Sequence, residues 1–362
     1  MTIDMKHQPP AGRREAIARA GLASLKAVAS VGGPPSDRAL AVMRSIRDCL
    51  MKVDVDLEAL QPIGAAALAA AVPEPEWRER ILRGMTVLAL MDGEPTRERL
   101  ELLEETAAAL GVQALPVRTF REYLEKRFAL VHIDIARRSF VRQPARGYVA
   151  NEGVRGVVDT IAGVLGHEDK ALAARYHQLD DYPEGTFGRA YADFIGRNGF
   201  SYPGEVGGPP PPVMRHDCCH VLGGYGTTPQ EECAVVAFQA GLEKADPFFI
   251  LLFALAQFEL GIGASPFLPG MKSQADPETV FAGLEHGTHV NRDLIGDTSW
   301  DPWDHFREPL AAVRAPLSIP PREIWLFLGR LHEGALTTSE GEGQGRELWP
   351  RKHKERNRRW AM

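Results

Sequence analysis

His216 and His220 stand four residues apart in the stretch Val213-Met-Arg-His-Asp-Cys-Cys-His220. If this stretch is helical, both imidazoles project from one face. Paired imidazoles at that spacing are a standard way to grip a metal ion from a single helix. Asp217 follows the first His, near enough to join the same ion or to orient one of its ligands. Gly223, Gly224 and Gly226 then break the helix. A second helix starting around Thr228-Pro229 returns Glu231 or Glu232 to the site. The chemistry expected of such a set is two nitrogens and two oxygens around one divalent ion. Cys218, Cys219 and Cys233 flank these groups. Thiolates are good zinc ligands, but buried cysteine often acts as a small apolar group, and packing is the reading adopted for them. Arg215 is beside the motif and can pair with an anionic substrate group, although an exposed ion pair is the commoner fate of such an arginine.

The elements that must position these groups read as helices. Apolar residues recur at helical spacing in 14–30 (Leu22, Leu25, Val28) and in 37–50 (Leu40, Met43, Ile46, Leu50). A longer stripe runs Phe120, Leu124, Phe128, Val131, Ile135. Gly and Pro punctuate the intervals. Asp276-Pro277-Glu278 is a helix start, with Asp as cap and Pro at the first helical position, opening a helix predicted over 277–295 that carries His286 and His289. Alternating strand patterns are almost absent, so the expected class is all-α: two helical domains, the first a pseudo-repeat of helix hairpins and the second a multi-helix metal-binding domain. The repeat has a constant offset of 60: Ala29 pairs with Ala89, Gly33 with Gly93, Pro35 with Pro95, Ser36 with Thr96, Leu40 with Leu100 and Leu50 with Leu110. Each copy spells a helix, a tight glycine turn, a Ser or Thr cap and a second amphipathic helix. This segment resembles the tellurite-resistance TerB-like helical domain, whose repeats carry an Asp-Gly turn where acids can gather a metal. Only the second copy keeps the acid, as Asp92-Gly93, so an interaction or structural module is expected here.

The His-Asp stretch itself resembles the signature of the coenzyme Q biosynthesis protein 4 family: HDxxH, eleven residues, then Glu. Here that is His216-Asp217-Cys218-Cys219-His220, eleven residues from Val221 to Glu231, then Glu232. The resemblance selects Glu232 over Glu231, which occupies a position usually held by Gly. TFGRAYADFIGRNGF (186–200), FAGLEHGTHVNRDLIG (281–296) and DPWDHFREPLAAVRAPLSI (301–319) are similar to other family segments in the same order. What the resemblance implies is an all-helical domain with zinc, or another divalent metal, held by His216, Asp217, His220 and Glu232. It implies a role in ubiquinone biosynthesis: loss of the C1 carboxyl, coupled to hydroxylation, from a polyprenylated 4-hydroxybenzoate-type ring, and organisation of the other biosynthetic enzymes. The expected enzyme is thus a metal-dependent carbon–carbon lyase; the alternative is a non-catalytic prenyl-lipid-binding organiser, its ion holding two helices together. An open coordination position separates the two, since a structural ion is usually closed by protein ligands. An HD-type metal phosphohydrolase shares the His-Asp pair but needs further, distant His and Asp ligands. A prenyl tail needs an apolar groove, which the run Phe248 to Ala256 lines if it is not simply core.

The chain has 362 residues, 44% hydrophobic and 25% charged, with net charge −6. That balance fits a globular chain and argues against general nucleic-acid binding, which wants a basic surface. Four cysteines are too few for a disulfide framework and point to a reducing compartment. The opening MTIDMKHQPPAGRREA has no apolar h-region, so no secretory leader is expected. The expected organisation is a disordered N-terminus over 1–12, the TerB-like domain over 13–115, the coenzyme Q biosynthesis protein 4-like domain over 116–335 and a basic tail over 336–362. The tail holds seven Lys/Arg against two acids from Arg346 to Met362, with Trp349 and Trp360 among them. It reads as a solvated end, or alternatively as a weak anchor for an anionic membrane surface. A cytoplasmic location follows, with peripheral contact at the inner face of the membrane as its variant. The expected partners are a prenylated aromatic or quinone precursor and other quinone-biosynthesis enzymes.

Overall fold

A computed structural model describes residues 11–93, 95–113, 115–125, 168–206, 208–209, 211, 213–243, 247–263 and 270–322. The residues Phe128, Val131 and Ile135 of the long stripe, the first ten residues and the basic tail lie outside the described residues. Among the described residues there are fourteen α-helices and no named strand, so the chain is all-α. No described helix is long and apolar enough to cross a membrane. The four cysteines form no disulfide. The fold forms two compact units, Met1–Ser139 with Val236–Thr288, and Phe140–Val235 with His289–Met362. The grouping follows contacts rather than chain order: three C-terminal helical segments belong with the first helices.

In the first unit the repeat is visible as two hairpins. Helix α1 (Ala11–Ala29) turns through Gly32 and Gly33 into α2 (Asp37–Ser45). After a short α3 (Ala65–Ala71), α4 (Pro75–Met91) turns through Gly93 into α5 (Arg97–Leu110). Gly32 and Gly93 share a φ of +85°, a conformation that disfavours any Cβ. Ser36 caps α2 by accepting from the Ala39 amide at 2.9 Å, and Thr96 caps α5 by accepting from Arg99 at 3.3 Å. Leu22, Leu25, Val28, Val42, Met43, Leu103 and Leu110 fill the interior, with α1 packed on α4. The copies diverge at their ends. Helix α5 stops at Gly111 in the left-handed region, whereas α2 continues as a π-helical stretch Ile46–Met51 closed by Lys52 at φ +53°. Helix α6 (Leu115–Leu124) completes the N-terminal set, with Phe120 buried.

Helices α10 (Pro229–Leu242, from Val236 onward), α11 (Pro247–Phe258) and α12 (Pro277–His289) join this unit. Residues Phe248 to Phe258 of α11 are buried throughout and belong to the core of this unit. Helices α10 and α12 cross at two glycines. A Cβ on Gly241 would meet the Leu284 carbonyl oxygen at 2.1 Å, and one on Gly287 would meet that of Phe238 at 2.0 Å. Asp276 caps α12 as expected, accepting from the Thr279 amide at 2.9 Å. The helix ends at His289, six residues short of the predicted 295. The reason is Asp293, whose Oδ1 accepts from the amides of Ile295 (3.0 Å) and Gly296 (2.7 Å), offering the backbone a turn in place of another helical step.

The second unit holds α7 (Lys170–His177), α8 (Phe187–Asn198), α9 (Val213–Gly223), the first turns of α10, α13 (Pro302–His305) and α14 (Leu310–Arg314). Thr186 caps α8, and the helix start is tied to 306–308 through the Phe187 amide on the Glu308 carbonyl at 2.9 Å and the Gly188 amide on the Phe306 carbonyl at 2.8 Å. Tyr191 and Phe187 pack against Phe306, and Tyr176 meets Trp303 edge-on. These aromatics fix α8 beside α9, the helix that carries both histidines.

Candidate metal centre

Helix α9 begins at Val213, directly after the proline run, and α10 begins at Pro229, both where the sequence places them. Between them Gly224 turns with φ +76°. Thr228 starts α10, its hydroxyl accepting from the Glu231 amide at 3.3 Å and its carbonyl from the Glu232 amide at 2.8 Å. Arg314 holds the far end of α9 by donating to the last carbonyls, Val221 and Leu222, both at 2.9 Å.

This hairpin brings His216, His220 and Glu232 together. The two Nε2 atoms are 3.1 Å apart, and Glu232 Oε2 lies 3.4 Å from His216 Nε2 and 3.6 Å from His220 Nε2. A tetrahedral ion with bonds of about 2.0–2.1 Å needs its donor atoms about 3.3–3.4 Å apart. The three separations bracket that value. Two ring nitrogens at 3.1 Å cannot both carry a proton, so they share one or face a cation. An ion held tetrahedrally by these three donors would have a fourth position open to water or substrate. His220 is buried and Glu232 nearly so, while the His216 side chain keeps 24% of its surface exposed and forms the open edge.

The surroundings orient the set. His220 Nδ1 donates to the Tyr225 carbonyl at 3.4 Å, which leaves Nε2 as the ligand atom. Its ring stacks on Phe194 of α8, with centroids 5.0 Å apart. The charge of Glu232 is secured: burial pushes its carboxyl up, but His220 and His216 hold it well below the usual carboxylate range.

Asp217 and Arg215 are placed differently from the sequence expectation. Asp217 is buried, one residue round the helix from His216, and falls outside the group of three. Its carboxyl is pushed up to about 6 by burial, against the pull of both imidazoles. Arg215 spends its guanidinium on backbone carbonyls: Leu294 at 2.9 Å, Asp297 at 3.1 Å and Trp300 at 2.6 Å. It straps the 294–300 loop to α9. Glu231 is held by Arg322 through a bidentate pair, Nη2 donating to Oε1 at 2.8 Å and Nη1 to Oε2. That removes it as a ligand and leaves Glu232. Cys218, Cys219 and Cys233 are buried and outside the group, and burial pushes the Cys218 thiol well up, as for an apolar residue. His286 is buried against Phe238 in the first unit. Among the described residues no distant His or Asp joins the group, as a phosphohydrolase site would need.

Sequence reasoning missed Tyr225, Phe194 and Arg322. Tyr225 acts through its carbonyl and Phe194 through its ring face, and neither leaves a residue-type signal. Arg322 lies 91 positions from its partner. No family model, no curated protein and no solved structure matches the chain.

Proposed function

We propose that this chain is a zinc protein of ubiquinone biosynthesis that releases the C1 carboxyl group as carbon dioxide from a polyprenylated 4-hydroxybenzoate-type ring, the hydroxylation at that carbon drawing its oxygen atom and two-electron oxidising power from dioxygen as co-substrate. The pathway and the substrate rest on the resemblance carried by His216-Asp217-Cys218-Cys219-His220 and Glu232. The observation that carries the metal is the triangle of donor atoms at 3.1, 3.4 and 3.6 Å. Three ligands rather than four favour the catalytic reading over a closed structural ion.

When bound, the ion supplies a Lewis acid to a carboxylate or phenolate oxygen, stabilising charge that develops as the C–C bond breaks. The chain does the rest. His220 is fixed in tautomer by Tyr225 and in plane by Phe194. Glu232 brings one negative charge to the ion and two helices to a fixed separation. The half-exposed edge at His216 is the side from which the ring carboxylate reaches the site, while the buried side excludes water. Arg215, bound to three carbonyls, keeps the 294–300 loop against α9 instead of meeting the substrate.

Elemental analysis of wild type and His220→Ala, together with quinone intermediates in a strain lacking its own decarboxylating protein, tests this. Near one zinc per chain, lost in the variant, with quinone restored only by wild type, is the expected result. Stoichiometric metal with no restored quinone would move the reading to an organiser whose ion staples α9 to α10. Absence of metal would return the hairpin to ordinary packing.

A further inference from the structure

We infer that Arg322 and Glu231 form a positioning pair that sets the affinity and the ligand choice of the His216/His220/Glu232 group. This rests on that group being a metal site. Arg322 touches the start of the turn between α9 and α10 and the first turn of α10 that follows it. Its guanidinium forks onto both oxygens of Glu231, its Nη1 reaches the Gly224 carbonyl at 3.4 Å, and its charge sits 4.6 Å from the centre of the Tyr225 ring. Glu231 Oε2 in turn accepts from the Gly226 amide at 3.0 Å. Thr227 ties the far side of this turn to Asn198, its hydroxyl donating to Oδ1 at 2.9 Å, and the fork ties the side next to Gly224 and Tyr225.

Two ligands depend on that turn. The Tyr225 carbonyl, on the residue under the guanidinium, is the acceptor for His220 Nδ1. Glu232 is the next residue after Glu231, in the same first turn of α10. The pair also decides between two neighbouring carboxylates. Both are in the first turn of α10, and only Glu232 faces the two imidazoles. A guanidinium that binds Glu231 at two oxygens withdraws it from competition and leaves Glu232 as the oxygen donor. Planar bidentate geometry is something Arg provides and Lys does not. Groups that orient metal ligands in this way typically change metal affinity by about 10–100-fold when removed.

The test is a titration of the full chain with Co²⁺, read by its visible absorption, with Zn²⁺ competition for affinity. Arg322→Ala should weaken binding by about 10–100-fold and alter the Co²⁺ spectrum, because the freed Glu231 now competes for the ion. Arg322→Ala combined with Glu231→Gly should return the spectrum to the wild-type form. Arg322→Lys should fall between wild type and Arg322→Ala in affinity, and it serves as the second variant if the alanine protein does not fold. Arg322→Ala or Arg322→Lys binding Co²⁺ with wild-type affinity and spectrum, while His220→Ala loses it, would overturn the inference and leave the metal site standing. A wild-type chain that takes up no Co²⁺ would instead overturn the metal reading, and the inference with it.

Discussion

The α4–α5 hairpin and the α9–α10 hairpin are both helix–glycine–helix turns with acids beside the glycines, and they use those acids differently. At the first, Asp92 sits next to Gly93 and its carboxylate is taken twice. Arg99 pairs with one oxygen, and the hydroxyl of Ser36, the cap of the other repeat copy, donates to the second. Arg38 adds a bond from its Nε to the Met91 carbonyl at 2.5 Å, joining the copies again. Asp92 is therefore a joint between two hairpins. At the second, Arg322 takes Glu231 in the same way, but Glu232 faces two imidazoles and no permanent cation. An acid paired with a guanidinium faces a permanent cation; one among imidazoles faces groups whose charge can change. The difference between the two turns thus lies in the cation on the neighbouring element, and residue type at the turn does not reveal it.

The largest expected effect breaks the comparison at its metal side. His220→Ala or Glu232→Ala should abolish stoichiometric metal, measured by elemental analysis, while the N-terminal repeat stays folded by circular dichroism. Full occupancy in both variants would remove the ligand assignment. On the structural side, Asp92→Asn leaves the nearly buried Arg99 guanidinium without its counter-charge. Breaking a pair of this kind costs about 3 kcal/mol. Denaturant unfolding should show that loss with metal content unchanged; a metal deficit would mean that Asp92 holds an ion after all. Gly287→Ala asks whether stability and metal binding separate generally. Its Cβ would fall 2.0 Å from the Phe238 carbonyl oxygen, and forcing α10 and α12 apart costs about 2 kcal/mol. The expected protein is less stable and still binds one ion per chain.

Much of this was legible in the sequence, for physical reasons that particular residues make clear. Ser36 and Thr96 cap their helices because a side-chain oxygen can satisfy an orphan amide whatever lies around it, and the 60-residue offset exposes the pair. The His216–His220 face follows from helical pitch alone. The choice between Glu231 and Glu232 did not come from local rules, since both are in the first turn of α10; it depends on Arg322, far along the chain. The partners of Arg215 were hidden for the same reason. A charged side chain beside a motif looks available until the 294–300 carbonyls that absorb it are in place. Asp217 was expected among the ligands from the family resemblance and from its place beside His216 and three before His220, and its carboxylate lies outside the group formed by His216, His220 and Glu232. The early end of α12 turned on a single side-chain acceptor, Asp293.

The smallest predicted effect sharpens the contrast between a permanent cation and a titratable one. His177 lies between two acids, Nδ1 3.1 Å from Asp180 and Nε2 2.9 Å from Glu205. This is a histidine among carboxylates, with no second imidazole to help hold an ion. Hydrogen bonding to Asp180, followed by Glu205, raises its pKa, with partial burial opposing. A folded-state pKa above the unfolded value of about 6.5 means that the folded chain binds the proton more tightly. The resulting stability is fully present below about pH 6.5 and is lost as pH rises through the folded pKa. The side chain is 51% exposed, so solvent screening holds the effect to about 0.5 kcal/mol or less. His177→Gln should therefore unfold at a lower temperature than wild type at pH 5.5 and at nearly the same temperature at pH 9. A gap that widened with pH would mean that His177 works in its neutral form, as the proposed metal ligands His216 and His220 would, and would remove the contrast between this site and the α9–α10 hairpin.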